Sequence, residues 1–266
     1  MSSSMSLQVI YAEIEANYTI DRTSALARKF WYVPLAACSV YLLLTALGRQ
    51  WMSTRQPQKL RTLLIVWNAF LAVFSVMGSM VMVPDLFRHA WRDLPDSVCN
   101  TYIYARPMLS FWSLLFVLSK LVEFGDTFFI VVRKTPLTFL HWYHHVTVCL
   151  LSWHSLAISS APAHWFCAMN FCVHSIMYSY YLLKASGAWI PSLVAQAITA
   201  LQLVQFFAGF LVTLAAAKFY LSGWPCHTNR NELIAALTIY GSYFALFVHF
   251  FHQRYCTTKK TPSKTD

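Results

Sequence analysis

Seven apolar stretches do most to constrain what this 266-residue chain can fold into. They lie at about 31–48, 62–83, 108–132, 139–157, 163–184, 190–219 and 232–252. Most are near the ~20 residues a helix needs to cross a bilayer. The residues within them do not alternate in polarity, which excludes a membrane β-barrel. The expected fold class is therefore an all-α integral membrane protein with seven transmembrane helices. Composition agrees: 58% of residues are hydrophobic and 11% charged, against about 25% charged in soluble domains.

The domain plan is a segment over 1–30, a seven-helix membrane domain over 31–252 and a basic tail over 253–266. The first thirty residues carry no signal-peptide pattern, so the first membrane helix is expected to direct insertion. The net charge of +10 is assigned to Lys- and Arg-rich cytosolic loops. No basic run is interleaved with aromatics, so no nucleic acid is expected. With the N-terminus luminal, the cytosolic side collects Arg49, Arg55, Lys59, Arg61, Arg133, Lys134, Lys184, Arg254 and the tail lysines. The positive-inside rule then favours a cytosolic C-terminus. The sequon Asn17-Tyr18-Thr19 fits a luminal N-terminus and makes Asn17 a glycosylation candidate. The same orientation puts Cys99 and Cys226 in luminal loops, where a disulfide is expected.

Ionisable groups inside membrane spans mark functional sites. His141, His144 and His145, in the stretch HWYHH, share one face of a helix. Lys120, Glu123, Asp126 and Thr127 form a charged face in the third span, open to two readings: a structural ion-pair network or a catalytic one. Asn170, His174, Tyr178 and Tyr181 form a stripe in the fifth span. Tyr180 and Tyr181 read more simply as members of an interfacial belt. Gln202 and Gln205 in the sixth span either glue helices or line a pocket. By depth, these faces meet at one level open to the cytosol, as one buried site. The remaining histidines, His89, His154, His164, His227, His249 and His252, are read as structural.

Three chemistries compete for such a site. Membrane di-iron enzymes carry three histidine boxes, and this chain has one; a metal-dependent lipid oxidase is therefore disfavoured and no metal is expected. Imidazole can act as an acyl-accepting nucleophile, splitting one acyl transfer into two steps, in a site dry enough to protect the intermediate. Cysteine nucleophiles are available as Cys149 and Cys172, which read equally as small packed hydrophobes. From another class, a proton-coupled polytopic transporter could use the same buried charges. A retinal protein would need a Lys in the last span, which has none.

The set KLVEFGDT (120–127), HWYHH (141–145), NFCVHSIMYSYY (170–181) and TALQLVQ (199–205) resembles the ELO family of very-long-chain fatty acid elongases, over all seven spans. Trp142 in the box resembles the branch acting on saturated and monounsaturated chains, and Cys99 and Cys226 fall where vertebrate members carry a disulfide. The resemblance implies a seven-helix barrel around a buried acyl tunnel in the endoplasmic reticulum membrane. It also implies a 3-oxoacyl-CoA synthase joining acyl-CoA to malonyl-CoA without a cofactor. His144 would carry the acyl group, and His174 would contact the donor or the developing enolate. His141 and His145 would orient the box, with Asp126 or Glu123 fixing a tautomer. Lys120 joins this catalytic set. Asn170, Tyr178, Gln202, Gln205 and Thr127 would face substrate, and Lys184 and Arg254, with Arg133 and Lys134, would offer cations to the CoA phosphates. Expected partners are membrane lipids and the ketoacyl reductase, dehydratase and enoyl reductase of the cycle. A homodimer is compatible with the sequence, and the tail lysines resemble a loose retrieval signal.

Overall fold

The computed structural model describes residues 13–14, 17–102 and 106–256. The tail lysines at 259, 260 and 264 lie outside them. Among the described residues every regular element is helical: α1 (Ile20–Lys29), α2 (Val33–Ser53), α3 (Arg61–Arg92), α4 (Leu94–Cys99), α5 (Pro107–Val122), α6 (Gly125–Val132), α7 (Phe139–Ala157), α8 (Ala163–Ala185), α9 (Ser192–Leu221) and α10 (Arg230–Phe251). A π-helical turn, His252–Cys256, prolongs α10.

Among the described residues, four stretches are long and apolar enough to cross a membrane: Val33–Ser53, Arg61–Arg92, Ser192–Leu221 and Arg230–Cys256. Their outer faces are apolar: Leu43, Val66, Phe70, Val204 and Ile234 are all exposed. An exposed surface of this kind suits lipid, where a helix satisfies all its own backbone polar groups. This is a membrane protein. The other long helices, α7 and α8, carry the histidines named above and Asn170, and α5 with α6 carries the charges. Lys120, Glu123, His145, Asn170 and His174 are buried, and α5 and α6, of 16 and 8 residues, are each shorter than the ~20 residues a crossing needs.

The third apolar stretch corrects the expectation of one unbroken span over 108–132. It breaks into α5 and α6 at Glu123 and Phe124. Glycine is the necessary residue at the restart, because a Cβ on Gly125 would lie 2.5 Å from the Trp67 ring. Part of the N-terminal segment is helical. Helix α1 docks through Trp153 Nε1, which donates to Ala27 O at 2.9 Å, and through Arg28, which donates to Ala157 O at 2.8 Å.

Among the described residues, side-chain caps start three helices. Asp93 accepts from Asp96 N on α4, Thr138 from His141 N on α7, and Asn229 from Glu232 N on α10. Each satisfies one backbone N–H that the first turn leaves without an intrahelical partner. Helix α3 packs along α8, and α9 along α10. One apolar cluster joins α3, α5, α7 and α8 around Met82, Trp112, Phe116 and Phe171. A second joins α8, α9 and α10 around Phe166, Phe206 and Tyr240. At that end of the molecule Cys99 and Cys226 stand at disulfide distance, 2.12 Å between sulfurs. His227 N donates to Cys99 O alongside.

Candidate active site

Polar side chains of α6, α7, α8 and α9, with Glu123 at the α5–α6 break, converge on one cavity of about 630 Å³, within the range of ligand pockets. His141, His144 and His145 reach it from α7, and His174 and Tyr178 from α8. Glu123 and Asp126 reach it from the α5–α6 break, and Gln202 from α9. Arg133, Lys184 and Arg254 line its mouth and are exposed.

The charged groups pair with one another before they meet a histidine. Lys120 Nζ donates to Glu123 Oε1 at 2.7 Å and to Asn170 Oδ1 at 2.8 Å. Ser119 donates to the same carboxylate oxygen. Lys120 and Glu123 are buried, and isolated buried charges would be costly, so the pair is what permits both. Lys120 and Asn170 thus brace α5 against α8. The nearest imidazole nitrogen to Glu123 is His174 Nδ1, at 3.8 Å. Asp126 accepts from Trp67 Nε1 and from Tyr178 Oη, each at 2.7 Å.

This corrects the expectation that Glu123 or Asp126 fixes the histidine box: neither carboxylate lies within ion-pair distance of His141, His144 or His145. The partner is Thr127, whose hydroxyl lies 2.9 Å from His141 Nε2 and 2.8 Å from Tyr41 Oη. Asp126 and Thr127 are neighbours on α6, about 100° apart around its axis, so while Asp126 faces α3 and α8, Thr127 faces α7. The rings of His141 and His145 are 4.4 Å apart, and those of His144 and His145 5.6 Å. Tyr243, from α10, lies beside His144 with ring centroids 4.9 Å apart.

Other sequence-named residues sort by place. Tyr180 and Tyr181 line the cavity near Lys184, and Tyr181 is exposed. Gln202 donates to Met177 Sδ at 3.3 Å. Gln205 turns instead into a second, small apolar cavity lined also by Asn170, Phe116, Leu151, Ser155 and Ala163. Lys134 is removed from the mouth, because its ammonium caps α2 by donating to Ser53 O and Arg55 O. Cys149 is fully buried, and neither it nor Cys172 lines either cavity. Asn17 is exposed, with its amide donating to Glu13 O and accepting from Arg22. His164 bonds Tyr102 at 2.9 Å and His89 bonds Asp96 at 2.7 Å, beside the Asp85–Arg106 ion pair and away from the cavity. Among the described residues, no group of three or more His, Cys, Asp or Glu side chains is arranged to hold a metal ion.

The sequence reading missed Tyr41, Trp67, Thr147 and Tyr243. One signal was present: aromatic hydroxyl and indole groups in the middle of membrane spans need a hydrogen-bond partner.

Fold and site together define an all-helical membrane protein with a buried, imidazole-rich cavity that opens through a cationic mouth. The family described as ELO, the GNS1/SUR4 family, matches residues 26–263, and the chain belongs to it. The chain is 41% identical to very long chain fatty acid elongase 6 of Drosophila melanogaster over 248 residues, covering 91% of this chain and 78% of that one. It is 39% identical to very long chain fatty acid elongase 3 of Mus musculus, covering 89% and 88%. It is 35% identical to elongase 6 of Homo sapiens, covering 96% of each.

Proposed function

We propose that this protein is the condensing enzyme of fatty acid elongation. It joins a long-chain acyl-CoA to malonyl-CoA, giving 3-oxoacyl-CoA, CO2 and CoA. Membership of the family and the names of its relatives support the reaction. The observation that carries the assignment of roles is that His144 and His174 line one cavity with cations at its mouth.

In this reading His144 attacks the thioester carbonyl. The carbon–sulfur bond breaks, and the departing thiolate takes the proton that the imidazole gives up. Malonyl-CoA then loses CO2, and its carbanion attacks the acyl carbon. The nitrogen–carbon bond to His144 breaks, and the leaving imidazolate takes a proton from solvent, the one proton the overall reaction consumes. Dividing the transfer in this way lowers each barrier, and a closed bundle protects the acyl-imidazole from water. His174 and Gln202 are placed to donate to the oxygens where negative charge develops. Arg133, Lys184 and Arg254 meet the CoA phosphates. No metal or cofactor takes part.

The acyl tail enters the apolar cavity beyond Asn170 and Gln205. That cavity measures about 40 Å³, so binding a long tail requires side chains that line it to move.

The chain crosses the endoplasmic reticulum membrane seven times, with a luminal N-terminus and a cytosolic C-terminus. Two groupings support this orientation. Asn17, Arg28 and the Cys99–Cys226 pair gather at one end. Arg61 and Lys134, which cap helix ends at Ala185, Ser53 and Arg55, gather with the cavity mouth at the other.

The test is intact-protein mass spectrometry after incubation with palmitoyl-CoA and no malonyl-CoA. Wild type gains one acyl mass and His144→Ala does not. Retained condensation by purified His144→Ala protein would overturn the assignment of His144.

A further inference from the structure

Tyr41 is out of place for a tyrosine in a membrane helix. Most of α2 faces outward through Leu42, Leu43, Leu44 and Leu47, all exposed, whereas Tyr41 is buried. It is not at an interface where a belt tyrosine would keep its hydroxyl wet. Its ring stacks on Phe124 at 4.3 Å, a contact phenylalanine would make equally well. What tyrosine adds is the hydroxyl, 2.8 Å from Thr127 Oγ1, which lies 2.9 Å from His141 Nε2. All three groups belong to different helices: α2, α6 and α7.

The direction of this chain follows from the acidity of its members. Each hydroxyl has one proton to donate. The phenol is the more acidic hydroxyl and the poorer acceptor, and an unprotonated imidazole nitrogen is a strong acceptor. Tyr41 donating to Thr127, and Thr127 to His141, uses both protons in the favourable sense, and each bond polarises the next. The reverse order would send the phenol proton to Thr45, one turn further along α2 and within reach. That would exchange the imidazole nitrogen for another hydroxyl as final acceptor.

We propose that Tyr41 is a positioning residue for the reaction: through Thr127 it holds His141 with its proton on Nδ1 and its ring fixed against His145. The tautomer of a histidine is set by what its other nitrogen bonds. His141 and His145 are one turn apart with rings 4.4 Å from each other. His145 Nδ1 is buried and, among the described residues, has no hydrogen-bond partner. A His141 free to flip would therefore disturb the ring next to His144. The inference rests on the histidine box being the reacting site; the tautomer itself is independent of activity.

The experiment is ¹⁵N NMR of histidine-labelled protein purified in detergent micelles, with His141 assigned by its loss in His141→Asn. Wild type is expected to show an acceptor-type Nε2 and a protonated Nδ1. Tyr41→Phe removes one oxygen and keeps the ring; it should move both His141 signals toward the averaged values of exchanging tautomers. Thr127→Val should do so fully, and Thr127→Ser should restore the wild-type pattern. Elongation kcat should fall about fivefold in Tyr41→Phe, the worth of one hydrogen bond of ~1 kcal/mol, with KM for acyl-CoA unchanged. A wild-type His141 protonated on Nε2 would overturn the proposal, as would unchanged signals and kcat in Tyr41→Phe. The expected signal shifts in a protein that condenses no acyl-CoA would support the tautomer assignment and overturn the function.

Discussion

Tyr243 on α10 holds the turn of α7 that carries His144. Its hydroxyl donates to His144 O at 3.2 Å and lies 2.6 Å from Thr147 Oγ1. Thr147 in turn donates to Tyr143 O, so the last helix grips the backbone of the histidine box. Tyr243→Phe keeps the ring against His144 and removes both contacts. A lost hydrogen bond of this kind is worth ~1 kcal/mol, so kcat should fall roughly fivefold with KM little changed. Steady-state condensation by the purified variant checks this, and an unaltered kcat would dismiss the grip.

Lys120 should be indispensable for stability. Removing one member of a buried ion pair strands its partner and costs about 3–5 kcal/mol. For a chain of this size that corresponds to a melting temperature lower by roughly 10 °C. Lys120→Met should show this loss in detergent, followed by size-exclusion after heating. Lys120→Met with Glu123→Gln should regain part of it, because no charge is then left buried. A double variant no better than the single one would argue that Lys120 acts through something other than this pair.

Gly125 sets the break between α5 and α6. A methyl group there meets Trp67, and overpacking of this kind costs about 1–3 kcal/mol. It also pushes Trp67 from Asp126. Gly125→Ala should therefore lower both the melting temperature and condensation. Adding Trp67→Leu should recover stability without activity, since the space returns and the indole N–H does not. Recovery of neither would place the strain elsewhere.

Chain length should respond to the inner end of the apolar cavity. Ser155 lies on α7 about 16 Å beyond His144 by helical rise. It donates to the buried Glu232 at 2.6 Å, and Ala163 lines the same cavity. A tail reaching this far would meet a carboxylate it cannot bind. Ala163→Leu fills the apolar space and should shift the product distribution to shorter acyl chains, read by gas chromatography of the products. An identical distribution would count against tail binding in this cavity.

The sequence by itself determined the membrane class, the inward face of each polar helix and the box at 141–145. A period of 3.6 residues reports which side chains share a face, and lipid forces apolar residues outward wherever they occur. Tertiary structure alone decided which face meets which. Asp126 belongs to Trp67 and Tyr178, and not to the histidines, because donors from α3 and α8 reach it while Thr127, one residue on, faces His141. Nothing in the spacing of GDT encodes which helix each of these side chains meets. Tyr41 and Tyr243 come from spans with no ionisable motif, so within their own helices they read as aromatic packing. Only the approach of α2 to α6 and of α10 to α7 turns their hydroxyls into partners of the histidine box. A hydrogen bond between helices depends on a few ångströms of separation, which a one-dimensional periodicity does not carry.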